Sequence, residues 1–227
     1  MKKLLTKART LYRKGRYRDA VLAAKKVLLL DRNNDEALFY VAHGFYHGGQ
    51  FRKSLVFWNR LKKISPTEPN LHLNMGACYE ALGNNRRAIQ NYLKELVANP
   101  FSSKAFHNLG DVYFFAHKYK PATVYLERSH SLERLPAQCI GKLAHCYFKT
   151  GQLEKEQTLY EEFLRTNPND TWALNNLGSH LMDQGRYYLA LIRLKKAARL
   201  DPDDKLVAKN IRKVLRELKR RKSFTAN

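Results

Sequence analysis

Acidic residues are scarce in this chain. Only 20 Asp and Glu stand against 42 Lys and Arg, which leaves a formal charge of +22 over 227 residues. Such an imbalance points to an acidic partner, nucleic acid or an anionic surface, or to a chain kept soluble by its own repulsion. Cysteine is sparse as well. Cys78, Cys139 and Cys146 are odd in number and lack CxxC spacing. That excludes a disulfide framework and a thiolate metal site, and the three read as small packing residues in a reducing compartment. No apolar run approaches the roughly 18–20 residues needed to cross a bilayer. Lys2-Lys3 is followed only by Leu4-Leu5, too short for a secretory core. GxSxG, P-loop and GxGxxG motifs are also missing. The expectations are therefore no enzymatic activity, no cofactor, no bound metal, and a cytoplasmic location with at most peripheral contact to a membrane or assembly.

What the chain does contain is a period. Gly or Ala falls at Ala8, Ala42, Gly76, Gly110, Ala144 and Gly178, at a constant interval of 34 residues. Leu11, Phe45, Tyr79, Tyr113, Tyr147 and Leu181 keep the same interval, as do Ala20, Ser54, Ala88, Ala122, Glu156 and Ala190. A fixed period of this length is the mark of a helical solenoid, whose core is a strip running along the stack. Charge is distributed unevenly along it: residues 1–34 carry +9 and residues 205–227 carry +8.

One unit, residues 69–102, shows the construction. The spacing of Leu71, Met75, Cys78, Tyr79 and Leu82 predicts a helix A from about Asn70 to Leu82. Gly83-Asn84 makes the turn. Helix B follows from about Arg86 to Ala98, and Pro100 closes the unit. Gly76 is expected to let the two helices approach, with Ala88 opposite and Tyr79 and Tyr92 filling the space beside them.

This pattern resembles the tetratricopeptide repeat (TPR): apolar, then Gly/Ala, aromatic, turn Gly, Ala, aromatic and Pro at fixed places, most completely in residues 173–204. Turn glycines Gly15, Gly49, Gly83, Gly151 and Gly185 keep register, with His117 in the remaining slot. The resemblance implies an all-α, right-handed superhelical solenoid of antiparallel helix pairs. Its units are 1–34, 35–68, 69–102, 103–136, 137–170 and 171–204, followed by a capping helix over 205–220 and a basic flexible tail over 221–227. The cap is expected to bury Ile211, Leu215 and Leu218 and to leave Arg212 in water. Two carboxylates, Glu95 and Glu156, occupy slots that favour small residues. Each needs a partner or a way to solvent; ordinary tolerance is the first reading, and a bent or mobile joint at repeat 5 the alternative.

The resemblance also implies a use: a non-catalytic scaffold holding a peptide or helix of a partner protein along the inner faces of the A helices. One inner position reads Tyr40, Asn74, Asn108, Lys142, Asn176 and Asn210. Side-chain amides offer a donor and an acceptor, as a peptide unit does. Around this ladder the implied groove holds Phe39, His43, Tyr46, Lys104, Asp111, Phe115 and His145 as further partner-binding candidates, with His47, His107, Phe114 and Phe148 nearby. The Lys/Asn/Arg set that clamps a C-terminal carboxylate in some TPR proteins is incomplete here. His43 and His47 lie one turn apart, but no third ligand accompanies them. Two alternatives stand beside the groove. One is docking to a polyanion, nucleic acid or acidic membrane, through Arg13, Lys14 and Arg16 at one end and Lys219, Arg220, Arg221 and Lys222 at the other. The other is self-association, as in scaffolds of bacterial envelope or organelle assemblies.

Overall fold

The computed structural model describes residues 1–133 and 135–224, without the side chains of residues 137, 138 and 222–224. Among these residues there are thirteen helices and no strand. The A helices are α1 (Lys2–Arg13), α3 (Asp35–His47), α5 (Leu71–Ala81), α7 (Ser103–Phe115), α9 (Ala137–Lys149) and α11 (Thr171–Asp183). Their B partners are α2 (Tyr17–Leu30), α4 (Phe51–Ile64), α6 (Asn85–Ala98), α8 (Tyr119–Leu132), α10 (Leu153–Thr166) and α12 (Tyr187–Leu200). Helix α13 (Lys205–Phe224) follows. The chain forms two compact units, residues 1–134 and 135–227. In the first, each helix packs on the next from α1 to α8; in the second, from α9 to α13.

Local chemistry fixes where helices start and stop. Asn34, Ser102, Asp170 and Asp204 cap α3, α7, α11 and α13, each accepting from the backbone N–H three residues on. Every A-to-B turn closes with the same bond, from Arg16 N–H to the Leu11 carbonyl (2.9 Å) in the first repeat and from Arg186 to Leu181 (2.9 Å) in the last. That turn demands a left-handed residue. Glycine supplies it five times, at φ between 71° and 75°, and His117 adopts φ 57° in its place. A side chain in that region costs about 1–2 kcal/mol. His117 recovers part of it, since its Nδ1 lies 3.0 Å from the Tyr119 hydroxyl. His117→Gly is therefore expected to raise stability by about 0.5–1 kcal/mol in chemical denaturation. A loss would mean that the Tyr119 contact outweighs the backbone strain.

The helix pairs meet at small residues. A Cβ on Gly76 would stand 2.4 Å from Cε1 of Tyr92, so the residue facing Gly76 is Tyr92 rather than Ala88. Gly110 meets Leu126 and Gly178 meets Leu194 in the same way. Glu95 also finds its partner. It is buried, and its Oε2 accepts from Leu73 N–H (3.1 Å), one of the unpaired donors in the first turn of α5.

Helix α13 corrects two expectations. It continues past residue 220 to Phe224, and Arg221 lies over the Tyr187 ring at 4.6 Å, while 225–227 fall outside the described residues. Arg and Lys favour helix and suit its C-terminal end, so nothing in 221–224 stops it. Its buried side is also rotated from the one expected. Val207 and Val214 are fully buried, Ile211 and Leu218 partly so, and Leu215 is 46% exposed. The 3.6-residue period selects 207, 211, 214 and 218, leaving 215 on the water side with Arg212.

Candidate functional site

In the unit formed by residues 1–134, rings gather where α1 to α4 meet. Tyr12 lies against Tyr17, Tyr40 and His43 at 5.5–5.6 Å, and His43 packs on Phe39 (4.4 Å) and Trp58 (5.0 Å). His47 stacks on Tyr17 at 4.1 Å. Burial, aided by the neighbouring His47, lowers the His43 pKa to about 4, so the ring is neutral at ordinary pH. His43 is thus a packed ring of a half-buried cluster, with Phe39 beside it. Tyr40 departs from its expected place on an open face. It is 7% exposed and its hydroxyl engages Arg9. The phenol at this position of α3 reaches back over α1, where its ring also meets Tyr12 at 5.6 Å. Tyr46 is half-buried on His47 and Phe51.

Farther along the same unit, Asn74 is half-buried on α5. Its counterpart Asn108 belongs to a polar chain: Asn108 and Glu80 both bond the hydroxyl of buried Tyr92, which donates to Glu80 Oε2 at 2.5 Å. Burial and the Glu80 carboxylate push the ionisation of Tyr92 upward. His107 and Asp111 lie 3.4 Å apart on α7. Lys104 is exposed, and Phe115, 64% exposed, meets Phe114 edge-on.

The unit formed by residues 135–227 holds a pocket of about 520 Å³ between α9 and α11, with α10 behind. Its walls include His145 and Phe148 from α9, Tyr160 from α10, and Trp172 and Asn176 from α11. Gly141 makes room for Trp172, because a Cβ there would lie 2.8 Å from the indole. Asn176 donates to the Trp172 carbonyl (2.9 Å), which leaves its amide oxygen for a ligand. Lys142 is half-buried on α9. Asn210 on α13 donates to the Asn175 amide (2.9 Å), so its place in the ladder is spent inside the protein.

Glu156 lies at the back of this pocket. It is buried, and its Oε2 is 3.0 Å from Nδ1 of His180, itself buried. Gln184 Nε2 stands 2.8 Å from the other ring nitrogen. The two side chains meet at ion-pair distance without closing a hydrogen bond, so Glu156 Oε2 is a buried carboxylate oxygen with no hydrogen-bond partner among the described residues. The pair occupies the register of Ser54 and Cys78, which touch at 3.3 Å across the α4–α5 joint. The sequence reading noted Glu156 but missed His180. The missing signal was a second departure, 24 residues on, at a position that holds Gly44, Cys78, Val112 or Cys146 in other repeats. Trp172 was also missed, although it stands at an inner-face position of α11.

The basic ends are exposed, but not all of them are free. Arg16 pairs with Asp19 at 2.6 Å, Arg220 lies 3.8 Å from Glu217, and Arg13, Lys14 and Lys219 face water. The Lys222 side chain is outside the described residues. Among the described residues no helix is long and apolar enough to cross a membrane, and no group of three or more His, Cys, Asp or Glu is placed to hold a metal ion.

The helix-turn-helix pairs, the left-handed turn and the small-on-large contacts define one class of protein. A family model described as tetratricopeptide repeat matches residues 5–69 and 142–205, more than half of the chain. The chain belongs to the tetratricopeptide-repeat family, an all-α repeat fold used as a scaffold for protein–protein interaction. The general transcriptional corepressor trfA of Dictyostelium discoideum is 29% identical over 107 residues, which is 47% of this chain and 8% of that protein. The chain spans 20% of the length of two further curated relatives that it matches. Among solved structures, Pseudomonas aeruginosa pilF superposes with a TM-score of 0.71 at 17% identity, over 92% of this chain and 95% of that one. YrrB, described as a TPR protein with an unusual peptide-binding site, gives 0.68 at 19% identity, over 82% and 96%. At these identities the likeness is one of fold.

Proposed function

We propose that this protein is a non-catalytic scaffold whose A-helix faces hold an extended segment or helix of a partner protein. The pocket between α9 and α11 carries the reading. It is open, of a size to take one or two side chains, and rimmed by two aromatics that keep 40% (Trp172) and 48% (Phe148) of their surface exposed. Aromatic rings offer large contact area at small entropic cost and dominate binding hot spots. Asn176 and His145 supply polar contacts beside them. In the other unit the same role falls to Asn74, Asn108, Lys104, Asp111 and Phe115, with His43, Phe39, Tyr40 and Tyr46 shaping the floor behind them. That YrrB is described as having a peptide-binding site is consistent with this use of the fold. The cytoplasm, or the periphery of a membrane or assembly, suits such a scaffold.

The test is selection of peptides from a random library on the whole chain, followed by titration. Trp172→Ala is expected to weaken the selected peptides about 30-fold, the effect of losing about 2 kcal/mol at a hot spot. Asn74→Ala, Asn108→Ala and Asn176→Ala together are expected to weaken them about tenfold. Peptides that bind all these variants as tightly as the parent would place the site on another surface.

A further inference from the structure

The outer sides of the B helices in the unit formed by residues 1–134 carry a pattern that the peptide-binding reading does not use. Arg18, Arg52, Arg86 and Lys120 share one register position on α2, α4, α6 and α8. Eight residues on, Lys26, Arg60, Lys94 and Arg128 share a second. Midway between them stand Leu22, Val56, Gln90 and Val124. At 3.6 residues per turn, positions four and eight apart fall within about 80° on one face of a helix. Leu29 and Val97, three residues beyond the second basic row, fall on the same arc.

All of these residues are exposed apart from Arg60, which is half-buried. The apolar members Leu22, Leu29, Val56, Val97 and Val124 are between 57% and 84% exposed. None of the eight cations stands in an ion pair with a carboxylate among the described residues. The arc itself contains no acid. Of the carboxylates on these four helices, Asp19 is taken by Arg16, Glu95 is buried under Leu73, and Glu127 sits at the arc's edge. Arg60 reaches the carbonyl of Arg32 (2.6 Å), just beyond the end of α2, and so links the α4 row to the preceding B helix. The pattern stops at the next B helix, where the same three positions on α10 read Glu154, Thr158 and Glu162.

We infer that this basic and apolar face docks on an anionic lipid surface. Unpaired cations in two rows suit the phosphates and carboxylates of lipid headgroups, each contributing near the surface. Exposed Leu and Val between the rows suit the headgroup–acyl boundary, which accepts apolar side chains next to cations. A nucleic-acid backbone would engage the cations and leave the aliphatic residues in water, so the apolar row selects lipid. The face shares Arg18 and Lys26 with the basic N-terminal repeat and otherwise runs along α4, α6 and α8.

The whole chain is tested by co-sedimentation with vesicles of phosphatidylcholine alone and of phosphatidylcholine with about 30% phosphatidylserine, at ~50 and ~200 mM salt. Expected are binding to the anionic vesicles only, and a loss of at least about tenfold at the higher salt. Arg52→Glu, Arg86→Glu and Lys120→Glu together should lower the partition coefficient at least about a hundredfold. Leu22→Asn with Val56→Asn and Val124→Asn should lower it about three- to tenfold. These positions are exposed, so helical circular dichroism should be unchanged in both variants. Three results would overturn the inference. One is no sedimentation with anionic vesicles at low salt. Another is loss of binding on reversing Arg13, Lys14 and Lys219 with none on reversing the arc. The third is a duplex oligonucleotide bound more tightly than the vesicles, with the aliphatic substitutions having no effect.

Discussion

His180→Ala is expected to destabilise the unit formed by residues 135–227 by about 3–5 kcal/mol, because it strands the Glu156 carboxylate in a buried joint. Glu156→Ala removes the buried carboxylate itself and leaves only the imidazole without its neighbour, and should cost less, about 1–3 kcal/mol. The double change Glu156→Ala with His180→Val reproduces the residues that Ala88 and Val112 place in the same register, both buried in a continuous apolar cluster. It should return stability to within about 1 kcal/mol of the parent or above it, as replacement of a buried ion pair by apolar residues often does. Urea denaturation followed by Trp172 fluorescence reads this unit, since the only other tryptophan, Trp58, lies in the first. A cost below about 1 kcal/mol for His180→Ala would show that water reaches the carboxylate and that the pair is dispensable.

Acid should weaken the other unit through His43. Its ring is held neutral in the fold down to about pH 4, whereas in the unfolded chain it takes up a proton near 6.5. Between those values the unfolded state binds more protons, so stability is full above pH 6.5, falls as pH drops, and has lost its whole increment below about 4. The increment is on the order of 3 kcal/mol. Burial lowers the His47 pKa as well, which acts in the same direction. Unfolding monitored by Trp58, whose ring is 5.0 Å from His43, should show the denaturation midpoint dropping between pH 7 and 5. His43→Phe should flatten that slope, separating it from carboxylate titration. An equal slope in the variant would assign the effect to other groups.

What the sequence disclosed and what it withheld follow from the same repetition. The small residues in the register of Gly76 and the turn glycines recur at one interval because each repeat poses the same packing problem, so period alone locates them. Side chains that solve a problem once leave no period. Glu156 looked like an isolated misfit until its partner was seen on the next repeat, and His180 by itself resembled an ordinary variation. Tyr40 shares the register of the asparagines, but its side chain packs back onto α1. The face of α13 was misjudged for a related reason. Leu206 and Leu215 are larger apolar residues than Val207 and Val214, yet it is the valines that are buried. The outer arcs of the B helices add little to the net charge of any one repeat, whereas the ends hold most of it and some of their cations already have acids beside them.

The Glu156–His180 contact has a consequence for how such a chain can change over generations. Tandem repeats of equal length recombine out of register with ease, gaining or losing a unit while leaving every helix boundary intact. In this chain a crossover that separated repeats 5 and 6 would set Glu156 against a glycine, valine or cysteine, and His180 against an alanine or serine. The two halves of the pair are harmless only in their present order. A single buried contact between a carboxylate and an imidazole thereby makes these two repeats inherit together, while repeats joined by small residues remain exchangeable.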